Sequence, residues 1–401
     1  MWTTGVWARR TAAVLAAAAA VTVIGAQGAS ASQKVMTKKT LAPGVVYRQI
    51  NDAAIPLRMY VLTFDAGTAA TIDDVLSASQ IGTFQRTSSM AVNVGALAAV
   101  NGDLNDWPAR PTHQYVQDGM VVQTGSRPGV SFGFRRDEHG ATIGYHPLRI
   151  SATNNTTKTT VAVSSWNTDA PATDQVVGYS WYGGKYAKPA ANQCSARLTT
   201  PTALRWNASE NGAGRDYKVE SVRCSSTTAT AVTNGSVVLS SKLAGAGATF
   251  IKGLKVGATM HVGWTNDSPG AMDVVSGSAQ VLKGGALQYT PSCHLDLCLR
   301  NPRTVAGVTT TGQVILMVVD GRSSGSVGAT LYELGVEMKA LGAVDAVNLD
   351  GGGSATMWIK GLGVVNHPTD SSGERPVSNA IVILPGADIA EAAPLAARAA
   401  I

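Results

Sequence analysis

The stretch LDGGGSATM, from Leu349 to Met357, combines the residue types of an active-site loop in this 401-residue chain. It sets the carboxylate of Asp350 beside three consecutive glycines and the hydroxyl of Ser354. Three glycines exceed what one tight turn needs, and without Cβ atoms they let a ligand approach backbone N–H groups closely. Apolar segments on both sides argue against a flexible tether, and a Walker loop would need a lysine at a different spacing. We therefore interpret the loop as the floor of an active site, with a purely structural Asp–Gly turn as the alternative.

Two other apolar segments end in polar residues and glycine in the same way. The continuous apolar run 314–319 is typical of a buried strand, and Asp320 follows it directly. A further strand is predicted over 96–100, and the triplet Asn101-Gly102-Asp103 follows it. The sequence therefore predicts three strand ends that present carboxylates together.

The segment that joins two of these strand ends predicts the positioning elements. Apolar residues recur at alternating spacings of four and three over 327–341, which indicates a helix, and another apolar strand follows over 344–349. We predict an α+β or mixed α/β fold whose mixed sheet contains a βαβ unit (strand 314–319, helix 327–341, strand 344–349) with parallel strands. Asp320 and Asp350 would then lie about 5 to 10 Å apart at one sheet edge if the strands are neighbours.

The rest of the chain predicts an exported protein with a β-rich insertion. Residues 1–31 contain Arg9 and Arg10, a short apolar run and an A-x-A cleavage site, which together indicate a secretory signal peptide. The run is shorter than a membrane span, and the residues around the arginine pair favour general secretion over twin-arginine export. Residues 32–385 are predicted to form the main domain, interrupted at about 151–299 by a segment rich in Thr, Ser and Val, and 386–401 form an alanine-rich tail.

The four cysteines are interpreted in the light of export. Disulfides are expected in an oxidising compartment, and four cysteines allow three pairings. We favour Cys194 with Cys224 and Cys293 with Cys298, because each pair then closes a short local loop. A zinc site is disfavoured, since the chain has no C-x-x-C pair and only His294 adjoins a cysteine.

Three ordered motifs indicate a family. The stretches RNPRTVAGVTTTGQVILMVVDGR, LGAVDAVNLDGGGSATM and VVNHPTDSSGERPVSNAIVI closely resemble the phosphodiester glycosidase domain. The resemblance is firmest from Arg300 to Leu384 and extends more loosely to SSMAVNVGALAAVNGD and VQDGMVV, while residues from about 151 to 290 lie outside the shared core. The family commonly has aromatic residues after the Asn-Gly pair, whereas here Asp103 is followed by Leu104-Asn105-Asp106-Trp107.

The resemblance implies hydrolysis of the glycosidic C–O bond of a sugar 1-phosphodiester, for example of N-acetylglucosamine, with release of the sugar and a phosphomonoester. Carboxylates suit this reaction because its oxocarbenium-like transition state must be stabilised and water activated. The candidate catalytic residues are Asp350, Asp320, Glu374 and Asp103. Arginines suit the phosphodiester because guanidinium groups hold its charge by bidentate hydrogen bonds. The candidate substrate-binding residues are Arg303, Arg322, Arg375, Arg300, Asn101, Gly102, Gly351, Gly352, Gly353, Ser354 and Asn366.

Two other function classes stay open from the sequence. One is a noncatalytic protein that binds cell-wall polysaccharide or teichoic acid through the insertion, and the other is a phosphoesterase that cleaves P–O. No cofactor is expected, because the histidines show no ligand spacing, although clustered carboxylates could hold a structural calcium ion. The expected partner is a glycosyl-phosphate diester, free or polymeric, and no membrane span is expected in the mature chain. A net charge of +6 without a basic run disfavours nucleic acid.

Overall fold

The computed structural model describes residues 32–65, 70–134, 140–200, 214–267 and 271–386. The predicted signal peptide and the alanine-rich tail from residue 387 onwards lie outside these ranges. Within the described part, none of the helices is long and apolar enough to cross a membrane. This part contains 27 strands and three α-helices, so extended structure dominates the fold.

The first segment of the chain is built almost entirely from strands. One short helix, α1 (Thr87–Asn93), interrupts them. The strands are β1 (Gln33–Ala42), β2 (Val45–Asp52), β3 (Leu57–Phe64), β4 (Ala70–Leu76), β5 (Ala98–Asn101), β6 (Asn105–Asp106), β7 (Arg110–Pro111), β8 (Tyr115–Gln117), β9 (Met120–Gln123), β10 (Val130–Phe134) and β11 (Ala141–Gly144).

A closed seven-stranded barrel comes next. Its strands are β12 (Arg149–Asn154), β13 (Thr160–Trp166), β14 (Val176–Ser180), β15 (Cys194–Thr199), β16 (Gly214–Arg223), β17 (Ser236–Ser241) and β18 (Thr259–Thr265), and it carries the helix α2 (Ala246–Gly253). Buried side chains such as Trp166, Leu198, Leu239 and Met260 fill its interior, so the barrel is a packed core. It occupies most of the segment that was predicted to be β-rich.

The C-terminal segment adds strands to the sheets that contain the strands of the first segment. Its helix is α3 (Leu331–Ala340), and short 3-10 turns lie at Asp296–Cys298 and Gly352–Ser354, besides those at Ser77–Ser79 and Trp181–Gly183 earlier in the chain. The strands are β19 (Asp273–Gly277), β20 (Ala279–Lys283), β21 (Ala286–Leu287), β22 (Arg303–Thr309), β23 (Val314–Val319), β24 (Ala343–Asn348), β25 (Met357–Ile359), β26 (Gly363–Val364) and β27 (Asn379–Pro385).

The predicted mixed α/β fold with a βαβ unit is wrong. The largest sheet has the order β1-β2-β3-β23-β22-β24-β20-β21, and all its pairings are antiparallel. The strand β22 lies between β23 and β24, so the two strands of the predicted unit do not pair with each other. The cause is local, because β22 and β23 are joined by a turn of only four residues, and so short a connection favours an antiparallel hairpin.

The helix between these strands is also shorter than predicted. It begins at Leu331, because Thr330 and Glu333 form a capping box in which each side chain accepts a hydrogen bond from the other residue's backbone N–H. The residues before it adopt another structure, with Ala329 forming an isolated bridge to Asn301.

The candidate site lies where two sheets meet. The second sheet has the order β26-β25-β5-β27-β4, and its apolar side chains share one buried cluster with those of the largest sheet. A third sheet, β11-β10-β19-β8-β9, contributes to the same cluster and connects to the barrel. At the junction the backbone N–H of Asp350, just past β24, donates to the carbonyl of Gly102, just past β5, over 3.0 Å.

The predicted disulfide pairing is confirmed. Cys194 is bonded to Cys224 within the barrel, and Cys293 is bonded to Cys298 before β22. No described cysteine is free. Disulfides of this kind are typical of an oxidising compartment.

Candidate active site

The carboxylate of Asp350 is held by the glycine loop itself and by a residue of β6. Its Oδ1 accepts the backbone N–H of Gly351 at 2.9 Å, and its Oδ2 accepts Nδ2 of Asn105 at 3.0 Å. Burial raises the pKa of the Asp350 carboxyl to about 6, because the charged form is poorly solvated there. The charge of Asp103 adds to the rise, while hydrogen bonding from Ser354 opposes it. A carboxylate with this pKa changes its protonation state close to neutral pH, as a general base must.

Asn101 fixes the backbone around this carboxylate and is fully buried. Its Nδ2 donates to the carbonyl of Asp350 at 2.8 Å. Its Oδ1 accepts from the hydroxyl of Thr304 at 2.7 Å and from the backbone N–H of Thr356 at 3.0 Å. Asn101 therefore locks the glycine loop to two strands, which is a positioning role rather than a direct ligand role.

Glycine is required in the loop because charged side chains pack against it. Gly352 has a φ of +60°, and a Cβ there would lie 3.2 Å from Nη2 of Arg322. A Cβ on Gly353 would lie 2.1 Å from Oδ1 of Asp370 and 2.4 Å from Nη2 of Arg375. The glycines therefore allow close approach to the loop backbone, and the groups that approach it here are the side chains of two arginines and an aspartate.

These arginines form an exposed, positively charged rim beside Asp350. Arg375 makes a bidentate pair with Asp370, at 2.6 Å from Nε and 2.8 Å from Nη2. Arg322 reaches Thr369 at 3.2 Å and Asn301 at 3.1 Å. Arg375 acts on Asp350 across the loop, where its positive charge lowers the pKa of the carboxyl. The rim offers guanidinium groups to an anion placed next to the carboxylate.

Asp320 belongs to a hydrogen-bonded group that is separate from the Asp350 group. The residue is only 2% exposed. Its Oδ1 accepts the backbone N–H of His367 at 2.8 Å, and its Oδ2 lies 2.8 Å from Nδ1 of the same histidine. The hydroxyl of Tyr60 donates to Oδ2 at 2.9 Å. Asp320 is therefore engaged in orienting His367.

Asp103, the remaining strand-end acid, is fully buried against His113. Nδ1 of His113 lies 2.6 Å from Oδ1, and the backbone N–H of His113 donates to Oδ2 at 2.7 Å. Burial raises the pKa of Asp103. Burial alone would lower the pKa of His113, but the hydrogen bond and charge of Asp103 outweigh it and raise that pKa. Asp103 thus contributes charge beneath Asp350 without facing a ligand directly.

Four of the predicted residues are engaged in bracing loops and helices. Arg300 donates to the carbonyl of Gly328 and pairs with Glu333 at the start of α3. Both carboxylate oxygens of Glu374 accept from Ser88, at the N-terminus of α1. Asn366 bonds the backbone of residues 355 and 357. Gly102 packs against Asn379, whose Oδ1 would lie 1.9 Å from an added Cβ.

Arg303 is a fifth such residue, and it lies apart from the rim. The residue is 4% exposed, and its guanidinium donates to the carbonyls of Leu297, Leu299 and Ala329 at 2.6 to 3.1 Å. Burial lowers its pKa to about 10. The guanidinium therefore braces the disulfide loop.

Replacing Arg303 by lysine is expected to reduce stability rather than activity. A lysine cannot span the three carbonyls, and hydrogen bonds from a charged group contribute about 1.5 to 3 kcal/mol. We expect the free energy of unfolding in urea to fall by about 2 kcal/mol, with kcat/KM per folded molecule within about twofold of the parent. A tenfold loss of kcat/KM in a fully folded variant would instead place Arg303 among the substrate ligands.

Residues that the sequence reasoning did not select complete the site. They are Tyr60, Asn105, His113, His367 and Asp370. Asn105 and Asp350 are 245 positions apart, so spacing along the chain carried no information on their contact. The sequence feature that points to Asn105 is its position in the polar stretch directly after Asp103.

Three other carboxylates lie together within the described chain. Asp73, Asp74 and Asp273 are buried, and one oxygen from each lies within 4.8 Å of the others. They belong to β4 and β19 and are not part of the Asp350 group.

Comparison with known proteins finds a family that is similar to part of the chain. The family model for phosphodiester glycosidase matches residues 210–384, which include the glycine loop and the arginine rim. Over these residues the chain is similar to the phosphodiester glycosidase family. A similar protein is N-acetylglucosamine-1-phosphodiester alpha-N-acetylglucosaminidase of Mus musculus, 33% identical over 92 residues that cover 23% of this chain and 17% of that enzyme.

Two other comparisons carry less functional information. The prophage-derived protein YomE of Bacillus subtilis (strain 168) is 34% identical over 88 residues, which cover 22% of this chain and 13% of that protein. The chain thus matches less than a fifth of the length of either curated relative. A solved structure of a hypothetical protein from Synechocystis has a TM-score of 0.66 at 16% identity, covering 87% of this chain and 63% of that one, and supports the fold alone.

Proposed function

We propose that the chain is an exported hydrolase that cleaves the glycosidic C–O bond of a sugar 1-phosphodiester. The single observation that carries the proposal is Asp350, a carboxylate with a pKa raised to about 6, placed beside the exposed guanidinium groups of Arg322 and Arg375. A negative group next to two positive ones matches a substrate that develops positive charge on its sugar and carries negative charge on its phosphate. The match of residues 210–384 to the phosphodiester glycosidase model supports the same proposal.

The reaction follows from this arrangement of charges. The C1–O bond breaks, and its electron pair goes to the oxygen that remains on the phosphate. Arg322 and Arg375 hold that phosphate and favour its departure. The Asp350 carboxylate stabilises the positive charge that develops at C1 and accepts a proton from the attacking water, whose oxygen becomes the anomeric hydroxyl.

The bond that breaks is tested with heavy-oxygen water. The substrate is the diester of methyl phosphate with the anomeric hydroxyl of N-acetylglucosamine, and mass spectrometry of both products locates the label. A phosphomonoester is a weakly basic leaving group, so C–O cleavage needs little general-acid assistance, and we expect the label in the sugar. Label in the phosphate would identify a phosphoesterase. No turnover on a panel of such diesters would favour the binding protein.

A further inference from the structure

His367 is an exposed residue whose ring is nevertheless fixed. Its side chain is 70% exposed, yet Nδ1 lies 2.8 Å from the buried Asp320 and 3.2 Å from the hydroxyl of Tyr60. Its backbone N–H is bound to the same aspartate. An exposed imidazole ordinarily samples several rotamers, so two contacts at Nδ1 and one at the backbone N–H hold this one in a single orientation.

The hydrogen bonds also determine where the ring protons lie. Oδ2 of Asp320 accepts the Tyr60 hydroxyl, and a carboxylate offers acceptors only. Nδ1 of His367 therefore carries the proton that faces Asp320. The opposite nitrogen, Nε2, is on the exposed edge of the ring and is left for a ligand.

The loop that carries His367 borders the glycine loop. On one side of it, Asn366 bonds the backbone that follows Ser354. On the other side, Thr369 contacts Arg322, and Asp370 packs on Gly353. His367 therefore belongs to the same wall of the site as the arginine rim.

We propose that His367, in its protonated form, donates a hydrogen bond from Nε2 to a phosphate oxygen of the substrate, beside Arg322. This inference rests on the proposed function and adds a third cationic group to the phosphate subsite. Asp320 is then a positioning residue that supports the imidazolium, and Tyr60 keeps its proton because burial raises its pKa. The titratable groups that contact the ring are Asp320 and Tyr60, and the charges of Tyr47 and Arg58 act on Tyr60 in turn. On the same loop, Thr369 contacts Arg322, and Asp370 pairs with Arg375.

Two replacements distinguish a phosphate ligand from a residue that only supports the loop. Glutamine keeps a polar side chain at this position but carries no positive charge. Arginine carries a positive charge and can also donate hydrogen bonds to a phosphate oxygen. A phosphate ligand should therefore be replaced far better by arginine than by glutamine.

The test compares His367→Gln and His367→Arg with the parent in the full chain. We expect His367→Gln to lose about tenfold in kcat/KM, mostly through KM. His367→Arg should retain most of the parental kcat/KM, because it keeps a positive charge at this position. The matched control is His261→Gln, because His261 pairs with Asp216 at the same 2.8 Å but lies in the barrel. Parental kcat/KM in His367→Gln would overturn the proposal.

Binding of methyl phosphate, measured by calorimetry at two pH values, separates this inference from the proposed function. Weaker binding by His367→Gln supports the histidine contact even if no diester is cleaved. If the parent cleaves diesters and both proteins bind methyl phosphate equally, the proposed function stands and the role of His367 is rejected. If neither protein binds methyl phosphate, the phosphate subsite is rejected.

Discussion

Replacing Asp350 by asparagine is expected to lower kcat by a factor on the order of 100 or more. The amide keeps the shape of the side chain, and its single oxygen can still accept from one of the two donors, Gly351 or Asn105. It can neither stabilise a sugar cation nor accept a proton from water. In the parent, kcat/KM should rise as pH increases through about 6, because the carboxyl must lose its proton to act. Steady-state kinetics from pH 4.5 to 8 would measure both effects.

The stability of this variant provides the control for misfolding. Because the folded-state pKa is raised, the ionised carboxylate of Asp350 destabilises the fold, and this cost develops as pH rises from the unfolded value near 4 through about 6. Asp350→Asn should therefore melt no lower than the parent at pH 7.5. The matched control is Asp345→Asn at the start of the same strand, where the carboxylate binds Gly284. Near-normal turnover in folded Asp350→Asn would remove Asp350 from the mechanism.

Replacing Arg375 by lysine is expected to reduce kcat/KM about tenfold although the charge is unchanged. The planar guanidinium is oriented by two bonds to Asp370, and this orientation leaves its other edge for a phosphate. A lysine ammonium cannot make both bonds in the same plane. Measuring kcat/KM on a diester and on a neutral aryl glycoside would separate lost phosphate binding from a general loss of activity, because only the diester carries the phosphate charge.

A second bidentate arginine serves as the control for this substitution. Arg149 pairs with Asp267 on the barrel at 2.8 and 3.3 Å, so Arg149→Lys loses the same geometry away from the site. It should behave like the parent. If Arg375→Lys and Arg322→Lys also match the parent on the diester, the rim does not hold the phosphate.

The parts of the site that could be predicted from the sequence are local in the chain. The glycine loop, the strand before Asp350 and the strand before Asn101 follow from runs of apolar residues that end in polar ones. The order of strands in the sheet could not be predicted in this way. The segment that became β22 separates β23 from β24, and only the pairing of distant strands decides that arrangement.

The roles of the arginines could not be separated from the sequence either. Arg303 and Arg322 lie in the same motif, and both are suitable ligands for phosphate. Their burial in the folded protein distinguishes the two roles, because Arg303 is enclosed by carbonyl groups while Arg322 is exposed. The histidines show no ligand spacing along the chain, and His367 is no exception, because its partner Asp320 lies 47 positions away. Contacts of this kind arise only when the loops fold against each other.

The barrel has a consequence for how such proteins diversify. Its first and last strands pair with each other, with Arg149 opposite Thr265, so the chain enters and leaves the barrel at one place. An internal unit whose two ends adjoin in space can be exchanged for another by one crossover at each end, without disturbing the strands that carry Asp350 and Asn101. The exchange has one requirement. The barrel covers Val116, Val121 and Val274 on the neighbouring sheet, so any replacement must bring its own apolar surface to shield them from water.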